Sequence, residues 1–213
     1  MKPVVLVGAG GHGRGVLEIL LARAAAGLDT PPVHGFVDDD PVHTGKLVGG
    51  LPVHGTVDWL VARATEFDAL LAIASPRAKL ALAARLDVAG VGWATAVHPS
   101  VICGTGVVVD PGAIVSAGVV VAYDTRIGRH TTVNLNATIG HDCLVGDFST
   151  VAPGVNVTGH VTLELGVEVQ TNATIVPGLA LGAWSRVGPG SVVLRDVAAG
   201  ESVFGNPARK MPA

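Results

Sequence analysis

Aromatic residues make up only 4% of this 213-residue chain, although 49% of it is apolar. Its core must therefore be built from aliphatic side chains rather than packed rings. Charge is also sparse: Asp, Glu, Lys and Arg together reach 15%, the net charge is −3, and no basic run occurs. Nothing in that balance favours nucleic acid, which is not expected as a partner. Cysteine occurs twice, at Cys103 and Cys143. Both fall at core-facing places of the repeat described below, so they are expected to be small core residues rather than a disulfide or a metal pair. No apolar run approaches the roughly 18 residues of a membrane span. The segment Gly8 to Arg14 breaks the apolar stretch that a signal peptide needs. A cytoplasmic protein with no membrane span is the expectation.

What the chain has in quantity is glycine, 29 residues of it, and a repeat. Stepping by six from Val97 to Val193 makes 17 stops; every one is apolar, and all but Cys103 are Val, Ile or Leu. Four places after each stop, from Val101 to Val197, the residue is small or aliphatic. Two core-facing positions in every six mark a hexapeptide β-helix, with one short strand and a turn per hexad. Three hexads, 18 residues, close one triangular coil, and stacked coils bury a continuous aliphatic column.

Ahead of the repeat the chain alternates strands and helices. Lys2–Val7 reads as a buried strand, the glycine turn Gly8 to Gly13 follows, and a helix is expected from about Arg14 to Ala26. Gly8, Gly10 and Gly13 satisfy the G-x-G-x-x-G spacing between a strand and a helix. Such a turn lets backbone approach a phosphate, which the free N–H groups of the helix N-terminus then hold. Gly11, His12 and Gly13 are the expected phosphate cradle, with Arg14 adding charge. A second strand, Val33–Val37, ends in Asp38-Asp39-Asp40; Asp38 or Asp39 is placed to accept from a ribose or base. Thr56 is expected to cap a short helix to about Ala64. Strands at Ala69–Ala74 and Gly92–Val97 flank a helix opened by Ser75 as N-cap and Pro76 at its first position. This unit, residues 1–96, is too short for a two-halved dinucleotide fold. A nucleotide diphosphate group is favoured over a dinucleotide or a purely structural glycine turn.

On the coils, the core-facing side chains are spent on packing, so chemistry must come from turns and outer faces. His141 lies on a turn beside Asp142, and one coil earlier or later lie Tyr123 and Gly159. A neighbour without a side chain leaves a hollow beside the imidazole and exposes an N–H. That layout suits general-base acyl transfer, with the N–H polarising a carbonyl while His141 takes a proton and Asp142 orients the ring. The plain alternative is a solvated turn His beside a solvated Asp. Asn136 is expected to be core-facing and structural, Asn134 to face a substrate, and His130 and His160 to have no catalytic role.

The glycine turn Gly8 to Gly13, the Asp38-Asp39 pair, the His141-Asp142 step within uninterrupted hexads, and the closing Gly205-Asn206-Pro207-Ala208 together resemble the NeuD/PglD-type sugar acyltransferases. The resemblance spans nearly the whole chain. It implies a Rossmann-like α/β unit over 1–96 that binds a nucleotide sugar, followed over 97–213 by a left-handed parallel β-helix with a C-terminal tail. It further implies a homotrimer, acetyl-CoA as co-substrate, and no metal. His141 matches the family's base, Asp142 its acidic partner, and Gly159 the glycine whose N–H meets the thioester carbonyl. Gly188, Pro207, Ala208 and Lys210 are implied on the acetyl-CoA side. The PglD-type turn is Glu-His-Glu, whereas here it is Gly140-His141-Asp142, and Thr150 stands where a second His is usual. The His-Asp step is closer to the GDP-perosamine N-acetyltransferases. The expected function is therefore acetylation of the C4 amine of a nucleotide-linked 4-amino-4,6-dideoxysugar. A UDP-aminosugar, O-acetylation of a sugar, or a non-catalytic nucleotide-binding trimer are the alternatives.

Overall fold

Four consecutive aliphatics, Val4–Val7, form β1, and every one of them is buried. Burial on both faces is what a central parallel strand requires. In the computed structural model, which describes residues 1–211, β1 pairs in parallel with β2 (Val33–Val37) on one side and β5 (Asp68–Leu71) on the other. A short β6 (Gly92–Trp93) extends the sheet beyond β5, giving the order β2-β1-β5-β6. Between β2 and β5 lie a two-strand hairpin, β3 (Leu47–Val48) with β4 (Leu51–Pro52), and a short helix α2 (Val57–Val61). The hairpin, not anticipated from sequence, turns at Gly49-Gly50, and both glycines have positive φ, as a tight two-residue turn demands.

Helix α1 runs Gly11–Ala25, starting three residues earlier than the expected Arg14. The Arg14 N–H already donates to the Gly10 carbonyl at 3.1 Å, so Gly11, His12 and Gly13 form the first turn rather than a loop before it. A Cβ on Gly13 would lie 2.0 Å from the Gly8 carbonyl oxygen, so only glycine lets α1 pack this closely on the strand end. Helix α3 (Pro76–Ala89) begins as expected: the Ser75 hydroxyl accepts from the Ala78 N–H. Thr56, by contrast, makes no side-chain cap; the first N–H of α2, that of Val57, is instead held by Asp39 Oδ1 at 2.9 Å.

The chain divides into two units, Met1–Pro99 and Ser100–Ala213, three residues past the sequence boundary at 96. In the second unit a two-residue strand recurs every six residues from Ile102–Cys103 to Val192–Val193. Each pairs in parallel one coil away: Val121 with Ile139, Val145 with Leu163, Val169 with Val187. Every sixth residue from Val115 to Val193 is buried. The repeat thus folds as the β-helix its spacing predicts.

On the coils two expectations fail, each for a positional reason. Cys103 is exposed, not a core residue, because its coil is the first and no coil precedes it to cover that end. Asn136 is not core-facing; it sits at the coil corner with φ 56 and is exposed. That corner, three residues after each stop, has positive φ in every hexad from Gly106 to Gly190. Its side chains fold back over the corner of the coil before. Among the described residues no helix is long and apolar enough to cross a membrane.

The corners yield a test. A Cβ on Gly166 would come within 2.3 Å of the Trp184 ring, whereas one on Gly178 would meet nothing within 4 Å. Gly178→Ala should cost only the left-handed backbone penalty, about 1–2 kcal/mol. Gly166→Ala must add the displacement of Trp184, and should show the larger drop in melting temperature.

Candidate active site

The turn Gly140-His141-Asp142 is built by contact between coils. A Cβ on Gly140 would lie 2.5 Å from the Gly159 nitrogen, so glycine is required for the next coil to come this near. His141 follows, and Asp142 takes the corner with φ 54. The left-handed corner turns the Asp142 carboxylate back onto its neighbour, where Oδ2 lies 2.7 Å from His141 Nδ1. A carboxylate can only accept there, so Nδ1 carries the proton and Nε2 keeps its lone pair. The other face of the geometry is Gly159: a Cβ there would sit 2.7 Å from His141 Nε2. The Gly159 N–H donates to none of the described residues. The imidazole lone pair and Gly159, with its free N–H, therefore stand side by side on neighbouring coils, as the 18-residue spacing predicts. Tyr123 stacks on the imidazole from the coil before, with ring centroids 5.1 Å apart and planes 12° from parallel.

His160, assigned no role from sequence, belongs to this cluster. It occupies the corner one coil after Asp142, places Nδ1 3.8 Å from Asp142 Oδ2, and meets the His141 ring edge-on at 4.9 Å. The missed signal was that corner side chains reach back one coil, which links residues 142 and 160 directly. Asn134 is half-buried, and its Oδ1 accepts from the Leu135 N–H at 2.8 Å, a local bond.

In the α/β unit, a hollow of about 250 Å³ lies at the carboxyl ends of β1, β2 and β5, lined by Val7, Gly8, Asp38, Asp39, Val57, Ile73 and Leu82. Asp38 is committed to structure: its carboxylate accepts from the N–H groups of Ala9 (2.7 Å) and Asp40 (2.9 Å) and from His43 (3.1 Å). Burial alone would raise its pKa, but these hydrogen bonds outweigh burial and hold it below the ordinary carboxylate value. Asp39 uses Oδ1 on Val57 and keeps Oδ2, so of the pair it has the freer carboxylate. At the start of α1, Gly11 and Arg14 are exposed, and His12 has a buried Nε2 with no hydrogen-bond partner. The His12 pKa is lowered by burial first and by the charge of Lys79 second. Lys79 is fully buried. It was overlooked, although Pro76, Lys79, Ala83 and Leu86 follow the helical spacing of the buried face of α3.

Near the end of the β-helix, a cleft of about 190 Å³ is lined by Arg195, Arg209 and Lys210 together with Asp196, Glu201 and Ala208. Lys210 Nζ lies 3.3 Å from Glu201, and the Ala208 N–H donates to the Val192 carbonyl at 2.8 Å. Pro207 follows a cis peptide bond. Gly188 admits Phe204, whose ring would lie 2.4 Å from a Cβ there.

Residues 3–86 match the family model described as the PglD N-terminal domain. Over 212 residues the chain is 33% identical to the GDP-perosamine N-acetyltransferase of Escherichia coli O157:H7, covering 97% of this chain and 95% of that protein. The chain belongs to the PglD-type sugar acyltransferase family. Solved structures agree with this. The H141N mutant of perosamine N-acetyltransferase from Caulobacter crescentus, in complex with CoA and GDP-perosamine, is 29% identical, with a TM-score of 0.91 over 100% of this chain and 98% of that one. The acetyltransferase domain of PglB from Neisseria gonorrhoeae, in complex with acetyl coenzyme A, is 26% identical, with a TM-score of 0.87 over 99% of each chain. Among PglD-type acyltransferases this chain thus shares both of its units with its relatives, in the same order.

The committed carboxylate of Asp38 predicts a pH signature. Its folded pKa lies below the unfolded value near 3.9, so its contribution is complete above that value and is lost as pH falls through the folded one. Asp38→Asn should cost about 1–3 kcal/mol at neutral pH. Denaturant midpoints of variant and parent should converge as pH falls below about 4.

Proposed function

We propose that this PglD-type acyltransferase moves the acetyl group of acetyl-CoA onto the C4 amine of a nucleotide-linked 4-amino-4,6-dideoxysugar, with GDP-perosamine as the best candidate. The observation that carries the proposal is the pairing of His141 Nε2, held as the free lone pair by Asp142, with the open Gly159 N–H. The amine nitrogen attacks the thioester carbonyl carbon. Negative charge collects on the carbonyl oxygen, where the Gly159 N–H meets it. His141 Nε2 takes the proton from nitrogen, the C–S bond breaks, and the proton passes to the departing sulfur as CoA leaves. The Asp142 carboxylate stabilises the imidazolium between those two transfers. Gly188, Pro207, Ala208 and Lys210 lie on the acetyl-CoA side of this reading, and the cations beside Lys210 suit the phosphates of CoA. On the sugar side, the orphan N–H groups of Gly11, His12 and Gly13 and the buried His12 Nε2 take the diphosphate, with Arg14 at the rim. Asp39 rather than Asp38 reaches the base or ribose. Asn134 remains a substrate-side candidate. The relatives from Escherichia coli and Caulobacter crescentus, which are perosamine N-acetyltransferases, support the choice of sugar.

A homotrimer in the cytoplasm completes the proposal. Exposed aliphatics on the coil faces, Ile102 and Val120 on one and Val108 and Leu144 on another, support packing of copies side by side. Two free thiols suit a reducing compartment.

General-base assistance contributes about 10²- to 10⁴-fold. His141→Asn should therefore lose at least about 10²-fold in turnover, followed as CoA release, while nucleotide-sugar binding by calorimetry stays unchanged. Turnover near that of the parent would overturn His141 as base. The sugar nucleotide is tested by titrating GDP against UDP and by assaying GDP-perosamine beside its 4-hydroxy analogue. Tighter GDP binding and acetylation of the amine alone are expected; preference for UDP or for the hydroxyl would replace this acceptor with another.

A further inference from the structure

The β-helix core is almost wholly aliphatic, yet four of its core-facing positions carry hydrogen-bond donors that reach into the next coil. Thr125 Oγ1 donates to the Gly140 carbonyl at 2.8 Å, Thr131 to Gly146 at 2.9 Å, Cys143 Sγ to Thr158 at 3.1 Å, and Ser149 to Glu164 at 3.0 Å. Each spans 15 residues, and all four lie in the coils that carry His141 and Gly159. Two of them share one column, Thr125 beneath Cys143, and the Cys143 N–H donates to Thr125 Oγ1 at 3.2 Å.

The bond from Cys143 has a directional consequence. The Thr158 carbonyl and the Gly159 N–H belong to one planar peptide unit, and the bond is trans, since the cis peptide is at Asn206–Pro207. In a trans peptide the C=O and N–H point in opposite directions. A carbonyl pulled inward onto a buried thiol therefore turns the N–H outward, toward the hollow beside His141 Nε2. Thr125 does the same for the peptide between Gly140 and His141. A hydrogen bond to the carbonyl also polarises the peptide and makes its N–H a stronger donor.

We propose that Cys143 is a positioning residue: its S–H, bonded to the Thr158 carbonyl, aims the Gly159 N–H at the reacting thioester carbonyl. This rests on the reading of Gly159 as the oxyanion donor. Burial raises the Cys143 pKa, which keeps the thiol protonated and able to donate. The thiol has one proton and two carbonyls in reach; Thr158 is the nearer, with that of His141 at 3.4 Å.

The column itself supplies the test variants. Val161 fills the same place one coil later and Thr125 one coil earlier, so both side chains fit. Cys143→Val removes the donor and keeps the volume; Cys143→Thr restores a donor. Expected for Cys143→Val is a turnover loss of about 10- to 100-fold, the scale of a misaimed reacting group, with KM for the nucleotide sugar and the melting temperature nearly unchanged. Expected for Cys143→Thr is turnover within about threefold of the parent, a hydroxyl being a donor of at least equal strength. Parent-like turnover in Cys143→Val, or equal losses in Val and Thr, would overturn the proposal. The bond is also read without activity. In a Cys103→Ser protein, Cys143 is the sole thiol, and its infrared S–H stretch should sit at a hydrogen-bonded frequency; a free-thiol frequency overturns the bridge. His141→Asn at full turnover would instead overturn the site reading and leave that band where it was.

Discussion

The β-helix depends on one backbone constraint, the left-handed corner three residues after each aliphatic stop. The chain must turn there once per hexad, and φ is positive at every such place from Gly106 to Gly190. Glycine takes this conformation freely, but eight corners carry other residues, among them Asp124, Asp142 and His160. Each bears a penalty of about 1–2 kcal/mol. The residues that accept it are those whose short polar or flat side chains fold back on the previous coil. Gly112 lies under His130, Gly118 under Asn136 and Gly154 under Asn172, each so close that a Cβ would collide. The corner thus makes each side chain answer to the level before: it stands over glycine or a stacking partner in two of the three corner rows, and in the third Asp142 follows Asp124 and His160 follows Asp142. His130 and Phe148, with ring centroids 5.0 Å apart, show the stacking solution.

The same rule assembles the site. Asp142 meets His141 through a corner that throws its side chain back, and His160 meets Asp142 because the corner above does likewise. Neither contact needs a loop of its own. The positions just before the corners, such as His141 and Gly159, have ordinary φ and leave an N–H unbonded to the backbone ladder, whereas the Gly140 N–H one place earlier donates to the Val157 carbonyl at 2.7 Å. Elsewhere that place is filled by proline, as at Pro111, Pro153, Pro177 and Pro189, or gives its N–H to a side chain, as at Arg129, Leu135 and Ala183; at Gly159 the N–H is left free beside a histidine.

Period six and coil length eighteen are written directly in the sequence, so the β-helix, its aliphatic column and the facing of His141 and Gly159 could all be read before any coordinates. What escaped was whatever depends on direction rather than spacing. Asn136 was misplaced because a count of residues does not say which of two turn positions points out. Cys103 was misplaced because periodicity is blind to where a stack ends. In the α/β unit the Asp38-Asp39 pair was visible but its division of labour was not: the Asp38 carboxylate is consumed by Ala9, Asp40 and His43, while Asp39 holds the first N–H of α2 with one oxygen. Lys79 hid within a helix pattern in which a lysine would ordinarily lie outside.

An aliphatic column alone cannot orient a peptide plane. Dispersion and burial are nearly isotropic, so Val on Val fixes how far apart two coils lie but not the rotation of the amide between them. Direction must come from polar atoms, and a buried polar atom is costly unless bonded. The coils from residues 125 to 164 resolve this by placing Thr125, Thr131, Cys143 and Ser149 in the core, each with a bonded carbonyl in the coil ahead. Beyond them the equivalent places are aliphatic at Val155, Val161, Val167 and Ala173, and turn polar again at the buried Ser185 and Ser191, where Ser191 accepts from the Gly205 N–H and, among the described residues, neither serine bonds a carbonyl one coil ahead. Stability could have been had from aliphatics throughout. What sets Thr125, Thr131, Cys143 and Ser149 apart, among the described residues, is that each bonds a carbonyl one coil ahead, and they do so in the coils where the histidine and the facing N–H need their peptide planes aimed.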